Sequence, residues 1–315
     1  MTQTLAFVFP GQGSQAIGML AGQAEQHGLI ADTFAEASEA LGYDLWKICQ
    51  QGPEAELNRT DITQPAILAA SVALWRLWCA QTDVRPAYVA GHSLGEYSAL
   101  VAANVIGFAD ALRLVERRGQ LMQQAVPQGQ GGMAAILGLE DQQIIDICAE
   151  TAQGDVVSAV NFNAPGQVVI AGQAAAVERA IAGCKAAGAK RAIALPVSVP
   201  SHCALMQSAA EQLGKDFAGL DWQPAQMILV QNVSARPAAD LDSLRHLLVE
   251  QLYNPVRWVE SIVWLAEQGV TDLVECGPGK VLSGLNKRCA KGVNTHHLES
   301  VDGFSATLNH FIQGA

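Results

Sequence analysis

The sequence predicts an α/β protein in which a large domain, built on a mostly parallel sheet, carries a second, small domain as an insertion. Apolar segments that suit buried strands alternate with helical segments over most of the chain. This alternation is typical of a parallel sheet covered by helices on both faces. One such strand runs into the pentapeptide GHSLG at residues 91–95 and then into a helix. Between residues 128 and 197 the order of elements changes to βαββαβ.

The composition excludes several classes of protein. The chain has 315 residues, half of them hydrophobic, which is long for a single core. A net charge of −11 argues against nucleic acid as a partner. The seven cysteines form no C-x-x-C pair, so we expect reduced thiols in a cytoplasmic protein. We see no signal peptide and no apolar run long enough to span a bilayer, so no membrane association is expected.

The first strand is predicted over residues 5–9, with a glycine-rich turn after it. In this turn Gly11, Gly13 and Ala16 match the G-x-G-x-x-A fingerprint of dinucleotide-binding proteins. That fingerprint requires a second strand, whereas residues 23–41 contain few β-branched residues and predict a helix. The match therefore does not indicate a nicotinamide site.

A long buried helix is predicted next, over residues 63–79. Thr63 is expected to cap it, and Pro65 suits its first turn. One face of this helix is apolar, so we expect that face to be buried.

The pentapeptide GHSLG follows a short apolar strand at residues 87–90 and precedes a helix. Strand, G-x-S-x-G and helix together are the context of a hydrolase-like nucleophile elbow. Gly91 and Gly95 allow a tight turn, and Ser93 would lie at its tip with an exposed hydroxyl. The Leu94 amide would point at whatever attaches to Ser93, because the first amides of a helix lack internal partners. The alternative is an ordinary turn flanked by glycines.

The helix predicted over residues 108–125 carries an arginine on its apolar stripe. Arg118 is three residues after Val115 and four before Met122, both apolar, whereas Arg117 lies on the polar face. A buried guanidinium needs an anionic partner. That partner is either a structural Asp or Glu of this chain or an acidic substrate, and the position alone does not decide between them.

The segment after the Gly/Gln-rich hinge has the ferredoxin-like order of elements. It is predicted to form strands at 133–137, 156–161, 167–171 and 191–197 and helices at 141–152 and 174–187. We therefore expect a small domain over residues 128–197, inserted into a large catalytic domain formed by residues 1–127 and 198–315. In the resumed large domain the sequence predicts strands at 227–231 and 271–275 and helices at 204–217, 241–252, 259–268 and from about residue 281.

A serine needs a base before it can act as a nucleophile at neutral pH. Of the seven histidines, His202 lies on a loop just beyond a sheet strand, where α/β active sites assemble. His92 lies within the pentapeptide, and we expect its side chain to point away from Ser93. The other five lie in polar helices or the C-terminal segment. His202 is therefore the expected base, although a loop histidine by itself is more often structural.

Several short motifs occur together, in one order, along nearly the whole chain. They are GQGSQ at 11–15, TQPA at 63–66, GHSLGEYSAL at 91–100, NAPGQ at 163–167, PSH at 200–202, NP at 254–255 and GPG at 277–279. In this combination the chain resembles the malonyl-CoA:acyl-carrier-protein transacylase family. No single motif is specific, but the set is.

The resemblance implies a role for each matching position. Ser93 matches the nucleophile and His202 the general base. Gln12 and the Leu94 amide match the oxyanion hole, and Arg118 matches the residue that binds the malonate carboxylate. Gln251 matches the residue whose main-chain carbonyl orients the histidine. Asn163 and Ser201 match polar positions near the histidine.

The resemblance also implies a ping-pong transfer of malonyl from malonyl-CoA, the coenzyme A thioester, to the phosphopantetheine thiol of acyl carrier protein. No permanent cofactor and no metal are expected, and we expect a monomer. Because the carrier is acidic, its docking should use a local basic patch. The candidates are Lys280, Lys287, Arg288 and Lys291. The alternative for this patch is a solvated helix end whose cations favour the helix dipole.

Three other functions stay open on the sequence. A serine hydrolase or thioesterase of the α/β class would have the elbow and a histidine, but it has no need for an inward arginine. A trans-acting acyltransferase of polyketide synthesis would differ in its carrier. A non-catalytic module that binds the carrier would keep the motifs as scaffold.

Overall fold

The structure is a computed structural model that describes residues 4–197 and 199–313. Its strands are β1 Leu5–Phe9, β2 Tyr88–Gly91, β3 Gly131–Leu137, β4 Val157–Ala164, β5 Gln167–Gln173, β6 Arg191–Ala194, β7 Ile228–Val230, β8 Asp272–Glu275 and β9 Asn294–His297. Its α-helices are α1 Ala21–Gln26, α2 Gly28–Leu41, α3 Leu45–Gln51, α4 Glu54–Leu57, α5 Thr60–Gln81, α6 Gly95–Ala102, α7 Phe108–Ala125, α8 Asp141–Ala152, α9 Ala174–Ala186, α10 Gln207–Asp216, α11 Leu241–Glu250, α12 Trp258–Glu267, α13 Val281–Cys289 and α14 Val301–Gln313.

The larger sheet has five strands in the order β7-β2-β1-β8-β9, and neighbouring strands pair in parallel. Its central strand β1 is buried along its whole length. Phe7 and Phe9 enter the core on one face, and Ala6 and Val8 enter the core on the other. Side chains of a strand alternate between its two faces. Because helices cover both faces of this sheet, every residue of β1 is apolar.

The smaller sheet has four strands in the order β4-β5-β3-β6, and neighbouring strands pair antiparallel. Helices α8 and α9 supply Ile144 and Val177 to the core that covers one face. Met133 and Val169 lie in a second cluster on the other side, together with Cys203 of the larger part. The predicted fold class, a mostly parallel sheet with an added ferredoxin-like unit, is confirmed.

The limits of the two domains stay a prediction. All four strands of the smaller sheet lie between residues 131 and 194. The predicted limits at residues 1, 198 and 315 lie outside the described residues. Backbone hydrogen bonds join the two parts: Val256 donates to Val160 and accepts from Phe162, at 2.8 and 3.0 Å.

Several predicted elements differ in the structure. The long helix begins at Thr60, so the prediction that Thr63 caps it is wrong, and Pro65 lies in its second turn instead of its first. Thr63 instead lies within α5, and its hydroxyl donates to the carbonyl of Leu57, the last residue of α4. The helix predicted over residues 23–41 is divided at His27. Strand β9 was not predicted. It lies at the edge of the sheet, and its sequence, NTHH, is polar.

Within the described ranges, no helix is both long enough and apolar enough to cross a membrane.

Candidate active site

The pentapeptide forms the turn between β2 and α6, and two backbone contacts make its glycines obligatory. A Cβ on Gly91 would lie 1.9 Å from the carbonyl carbon of Gly95. A Cβ on Gly95 would lie 2.0 Å from the carbonyl oxygen of Phe9 in β1. Ser93 lies between them with φ 52°, in the left-handed region that residues other than glycine seldom adopt. The sequence thus places Ser93 on a strained turn at the carboxyl ends of the central strands.

Ser93 and His202 are in hydrogen-bonding contact, with Oγ 2.7 Å from Nε2. The other ring nitrogen, Nδ1, lies 2.6 Å from the carbonyl oxygen of Gln251. A carbonyl can only accept, so Nδ1 carries the proton and Nε2 is free to accept from the serine hydroxyl. Burial, followed by the charge of Arg118, lowers the pKa of His202 to about 3. His202 is therefore a neutral imidazole at neutral pH.

The backbone of Ser93 is held at both ends by side chains from distant parts of the chain. Its amide donates to Oδ1 of Asn232 at 2.7 Å, and its carbonyl accepts from Nε2 of Gln251 at 2.9 Å. Asn232 also donates to the carbonyl of Gly91 at 2.6 Å. These bonds offset the cost of the left-handed conformation by satisfying both polar groups of the strained residue.

Glu96 connects the two side chains that hold Ser93. Its Oε2 accepts from Nε2 of Gln251 at 2.7 Å and from the amide of Asn232 at 3.3 Å. Only 1% of the residue is exposed, and this burial raises the pKa of the Glu96 carboxyl to about 8. Glu96 is therefore mostly a neutral acid at pH 7, which is compatible with its burial beside amide groups.

Arg118 is 1% exposed and is bound by amide oxygens. It donates to Oε1 of Gln64 at 2.8 Å and to Oε1 of Gln251 at 2.9 Å, and its guanidinium reaches Oγ of Ser93 at 3.4 Å. Among the described residues it forms no ion pair, and the carboxyl of Glu96 is reached only through Gln251. The first possibility considered from the sequence, an Asp or Glu of this chain that pairs with Arg118, is therefore not found among the described residues.

Close helix packing places Arg118 next to the elbow. Helix α7 meets α5 at Gly119, where a Cβ would lie 2.6 Å from Cα of Asp61. This contact brings Gln64, in the first turns of α5, against Arg118, which precedes Gly119. The predicted apolar stripe of α7 is buried, and Arg118 is buried with it.

A cavity of about 110 Å³ opens over Ser93 between the two sheets. Its walls are formed by Gln12, His92, Ser93, Leu94, Arg118, Met122, Met133, Asn161, Val169, Leu195, Val197, Ser201 and His202. The larger part contributes Ser93, His202 and Arg118, and the smaller sheet contributes a wall that is apolar except for Asn161. The cavity can therefore enclose a small acyl group on Ser93, with its far end at Arg118.

Leu94 and Gln12 lie on opposite turns beside this cavity. Leu94 is the N-cap residue of α6, so its amide belongs to the helix end that has no intrahelical acceptor. Gln12 is exposed on the turn after β1. A Cβ on the preceding Gly11 would lie 2.5 Å from the carbonyl oxygen of His92, so this turn packs directly on the elbow.

The two supporting residues expected near the histidine are placed differently. Ser201 lines the cavity next to His202. The side chain of Asn163 instead contacts His92, with Oδ1 2.7 Å from Nε2. Asn163 therefore positions the ring of His92, which neighbours the serine, and is not a direct partner of His202.

The four basic residues of the expected carrier patch are all exposed. Arg288 is engaged, because its guanidinium donates to Oε1 of Gln167 at 2.6 Å and to the carbonyl of Pro165 at 2.7 Å. Lys280 follows Gly279, whose Cβ position lies 3.4 Å from the backbone of Ser14 on the turn that carries Gln12. The patch thus begins beside the turn that carries Gln12.

Sequence reasoning missed four residues of this site. Gln64 lies in the TQPA motif and Glu96 directly follows the pentapeptide, so both had a local signal. Asn161, which lines the cavity, and Asn232 had none. Asn232 is 139 positions from Ser93 in sequence, and it reaches Ser93 because β7 pairs with β2.

The chain matches the family model described as acyl transferase domain over residues 6–301. A curated malonyl CoA-acyl carrier protein transacylase of Salmonella typhimurium is 58% identical over 308 residues, which are 98% of this chain and 99% of that protein. The structure also resembles that of a malonyl-CoA:acyl carrier protein transacylase from Xanthomonas oryzae pv. oryzae, at 55% identity and TM-score 0.96, covering 98% of this chain and 99% of the other.

A second solved structure of this kind contains a carrier. It is described as a type II PKS acyl-carrier protein in complex with its malonyl-transacylase, PlMCAT:AntF in the holo form. It is 54% identical to this chain with a TM-score of 0.96, and it covers 98% of this chain and 100% of the other.

Proposed function

Since this chain belongs to the malonyl CoA-acyl carrier protein transacylases, we propose that it transfers malonyl from coenzyme A to the phosphopantetheine thiol of an acyl carrier protein through a malonyl ester on Ser93. The observation that carries the mechanism is the geometry at Ser93. Its hydroxyl lies between Nε2 of His202, at 2.7 Å, and the guanidinium of Arg118, at 3.4 Å. The hydroxyl of Ser93 thus contacts both a base, His202, and a cation, Arg118, that can bind the carboxylate of an acyl group.

In the first half-reaction, Nε2 of His202 takes the proton of Ser93 as Oγ attacks the thioester carbon of malonyl-CoA. The bond between Nδ1 and the carbonyl of Gln251 keeps the histidine in the tautomer that can accept this proton. The thiolate of coenzyme A then leaves with the same proton. In the second half-reaction the carrier thiol gives its proton to His202 and attacks the malonyl ester. The bond between the acyl carbon and Oγ of Ser93 then breaks, and Oγ takes the proton back from Nε2 of His202.

The oxyanion of each tetrahedral intermediate is held by the amide of Leu94 and by Gln12. Such donors, fixed before the reaction, stabilise charge that develops only in the transition state. Arg118 binds the free carboxylate of malonate through two parallel N–H donors, a geometry that lysine cannot provide. Burial is the main cause of the low pKa of His202 and the charge of Arg118 is the second; the carboxylate offsets this second cause, so its arrival should make the base stronger.

Intact-protein mass spectrometry after mixing with malonyl-CoA tests this mechanism. We expect one malonyl adduct per chain, located on Ser93, and no adduct in Ser93→Ala. The matched control is Ser98→Ala, because Ser98 is a fully buried serine on the helix that follows Ser93. An ester on Ser98 or a thioester on a cysteine would overturn the assignment.

The same measurement separates two of the alternatives. A hydrolase or thioesterase would release free malonate, whereas a transacylase keeps the ester until a carrier arrives. A non-catalytic carrier module would form no adduct. Supplying fatty-acid and polyketide carriers in turn, and comparing the rates of discharge, assigns the carrier class.

For the carrier we propose docking at Lys280, Lys287, Arg288 and Lys291, which are exposed and begin beside the turn that carries Gln12. We further propose that the protein is a cytoplasmic monomer whose reaction needs neither metal nor permanent cofactor. Light scattering during gel filtration tests the monomer, and full activity after treatment with a chelator tests the independence from metal.

A further inference from the structure

A group of three side chains away from the active-site cavity has the geometry of a metal site. They are Asp272 at the start of β8, His296 in β9 and His310 in α14. Their ligand atoms all lie within 4.8 Å of one another. We propose that Asp272, His296 and His310 bind a divalent transition-metal ion of the zinc class.

Two of the three separations between the donor atoms match those around such an ion. Nε2 of His296 lies 3.0 Å from Oδ1 of Asp272, and Nε2 of His310 lies 3.3 Å from the same oxygen. Ligands at about 2.0–2.2 Å from a tetrahedral zinc ion are about 3.3 Å from each other. The two imidazole nitrogens lie within 4.8 Å of each other, so side-chain rotation of the more exposed His310 would complete the site around an ion.

More hydrogen-bond donors approach Oδ1 of Asp272 than this oxygen has lone pairs. Besides the two imidazoles, Nδ2 of Asn294 lies 3.1 Å from Oδ1 of Asp272. Three donors thus converge on one oxygen, which offers about two lone pairs. A single cation would satisfy this oxygen and both imidazole nitrogens at once. An exchange of the two ends of the Asn294 amide would also offer an oxygen as fourth ligand.

The surroundings suit a site that is rigid on one side and accessible on the other. The carboxylate of Asp272 is 1% exposed, and its second oxygen accepts from the hydroxyl of Thr271 at 2.7 Å. Such a second bond fixes the orientation of a metal ligand. His310 is 37% exposed, which leaves a path for the ion. The donor set of two imidazoles and one carboxylate favours zinc-like ions over magnesium or calcium.

The bound ion would fasten the last helix to the sheet. Asp272 and His296 belong to neighbouring strands at the edge of the larger sheet, and His310 belongs to α14. A bond to each of these three elements would resist separation of α14 from the sheet. The expected role is therefore structural, independent of acyl transfer.

The test uses the full chain, freed of metal by a chelator, with Co²⁺ and Zn²⁺ as probes. We expect one equivalent of Co²⁺ to give the intense visible bands of a tetrahedral ion, and Zn²⁺ to displace it and raise Tm. His310→Gln keeps a side chain that can hydrogen-bond to Asp272, but it loses a ligand. The affinity of this variant for the metal should therefore fall by more than the about 10–100-fold that loss of an outer partner costs. The matched control is His246→Gln, an exposed histidine on α11, which should bind like the native chain.

Thr271→Val tests the site without removing a ligand, and we expect it to weaken binding by about 10–100-fold. This variant also keeps the proposal testable if His310→Gln does not fold. Equal affinity in the native chain and His310→Gln would overturn the site and leave only two histidines that hydrogen-bond to a carboxylate. A thiolate-to-cobalt band that survives in His310→Gln would assign the ion to cysteines and equally overturn it.

Discussion

Arg118 is a buried cation whose direct partners in the described residues are neutral. Two glutamine amides bind its guanidinium, at 2.8 and 2.9 Å. An amide oxygen satisfies a donor but does not neutralise the charge, so part of the desolvation cost of this guanidinium remains. That remaining cost favours an acyl group that brings its own carboxylate.

Arg118→Ala should therefore change the choice of acyl group more than it changes the chemistry. We expect malonyl transfer to lose about 2–5 kcal/mol of transition-state stabilisation, the loss seen when one partner of a buried charge pair is removed. Acetyl transfer should fall much less, or rise. The values of kcat/KM with malonyl-CoA and acetyl-CoA measure this difference. Equal losses for both substrates would show that Arg118 serves the fold.

Glu96 gives a pH-dependent prediction about stability. Its pKa rises from 4.5 to about 8 on burial, so the folded chain binds a proton that the unfolded chain has released between these values. The free energy of unfolding therefore contains a contribution that is fully present below pH 4.5 and is lost as the pH rises through 8. Glu96→Gln removes this contribution, because the amide does not ionise.

Relative to the native chain, Glu96→Gln should thus gain stability from pH 5 to pH 8, by on the order of a few kcal/mol. Urea unfolding at the two pH values measures the change. Glu178→Gln, an exposed position on α9, is the control and should show no such gain. A difference between Glu96→Gln and the native chain that does not vary with pH would mean that Glu96 is ionised throughout.

At this scale the sequence could predict residues that a local pattern marks. The pentapeptide marked Ser93, and the helical period showed that Arg118 points inward while its neighbour does not. Asn232 could not be found in this way, because nothing near it distinguishes it from other loop asparagines. It reaches Ser93 only because two strands far apart in sequence become neighbours in the sheet.

At the scale of elements, the packing of α6 against β1 depends on Gly95. A Cβ there would lie 2.0 Å from a backbone oxygen of Phe9, which no side-chain movement can relieve. We expect Gly95→Ala to cost more than about 4 kcal/mol or to prevent folding. Gly284→Ala is the matched control, since Gly284 is also helical and has nothing within 4 Å of its Cβ position.

The control should be stabilised by about 0.4–1 kcal/mol, because alanine restricts the unfolded chain and favours the helix. Chemical denaturation of both variants measures the contrast. If Gly95→Ala is as stable as the native chain, the close contact between α6 and β1 is wrong.

The elements themselves were predicted best where a buried face imposes a period. Strand β1 and helices α7 and α8 have the predicted bounds, because their apolar residues follow one period from end to end. The start of α5 was missed, since Thr60 is the first residue and no side chain caps the helix at Arg59. The terminal helix α14 was not predicted, although Phe304 and Phe311 pack into the main core.

At the scale of the whole molecule, charge sets the conditions for meeting a carrier. The chain carries −11 and an acidic carrier is also negative, so the two repel at long range and need a local cationic surface. Lys287 and Lys291 are exposed and lie on and just after α13. Because Arg288 already bonds to the loop at Pro165, its reversal would disturb the fold as well as docking.

Charge reversal of both lysines, Lys287→Glu with Lys291→Glu, should raise the apparent KM for the carrier several-fold. It should leave malonylation of Ser93 nearly unchanged, and the defect should shrink as salt rises. The control pair, Lys47→Glu with Lys185→Glu, makes the same change in net charge on other exposed surfaces. Equal effects of the two pairs would assign the result to total charge and reject the patch.

The cavity over Ser93 has walls from two different sheets, and this has a consequence for how the protein could diversify. Ser93, His202 and Arg118 belong to the larger part, while Met133, Asn161 and Val169 come from the smaller sheet. The groups proposed for catalysis and for binding the acyl carboxylate thus lie on one part of the protein, and a wall of the space around the acyl group lies on the other. Residues of the smaller sheet can vary and reshape the space for the acyl chain without altering the turn that activates the serine.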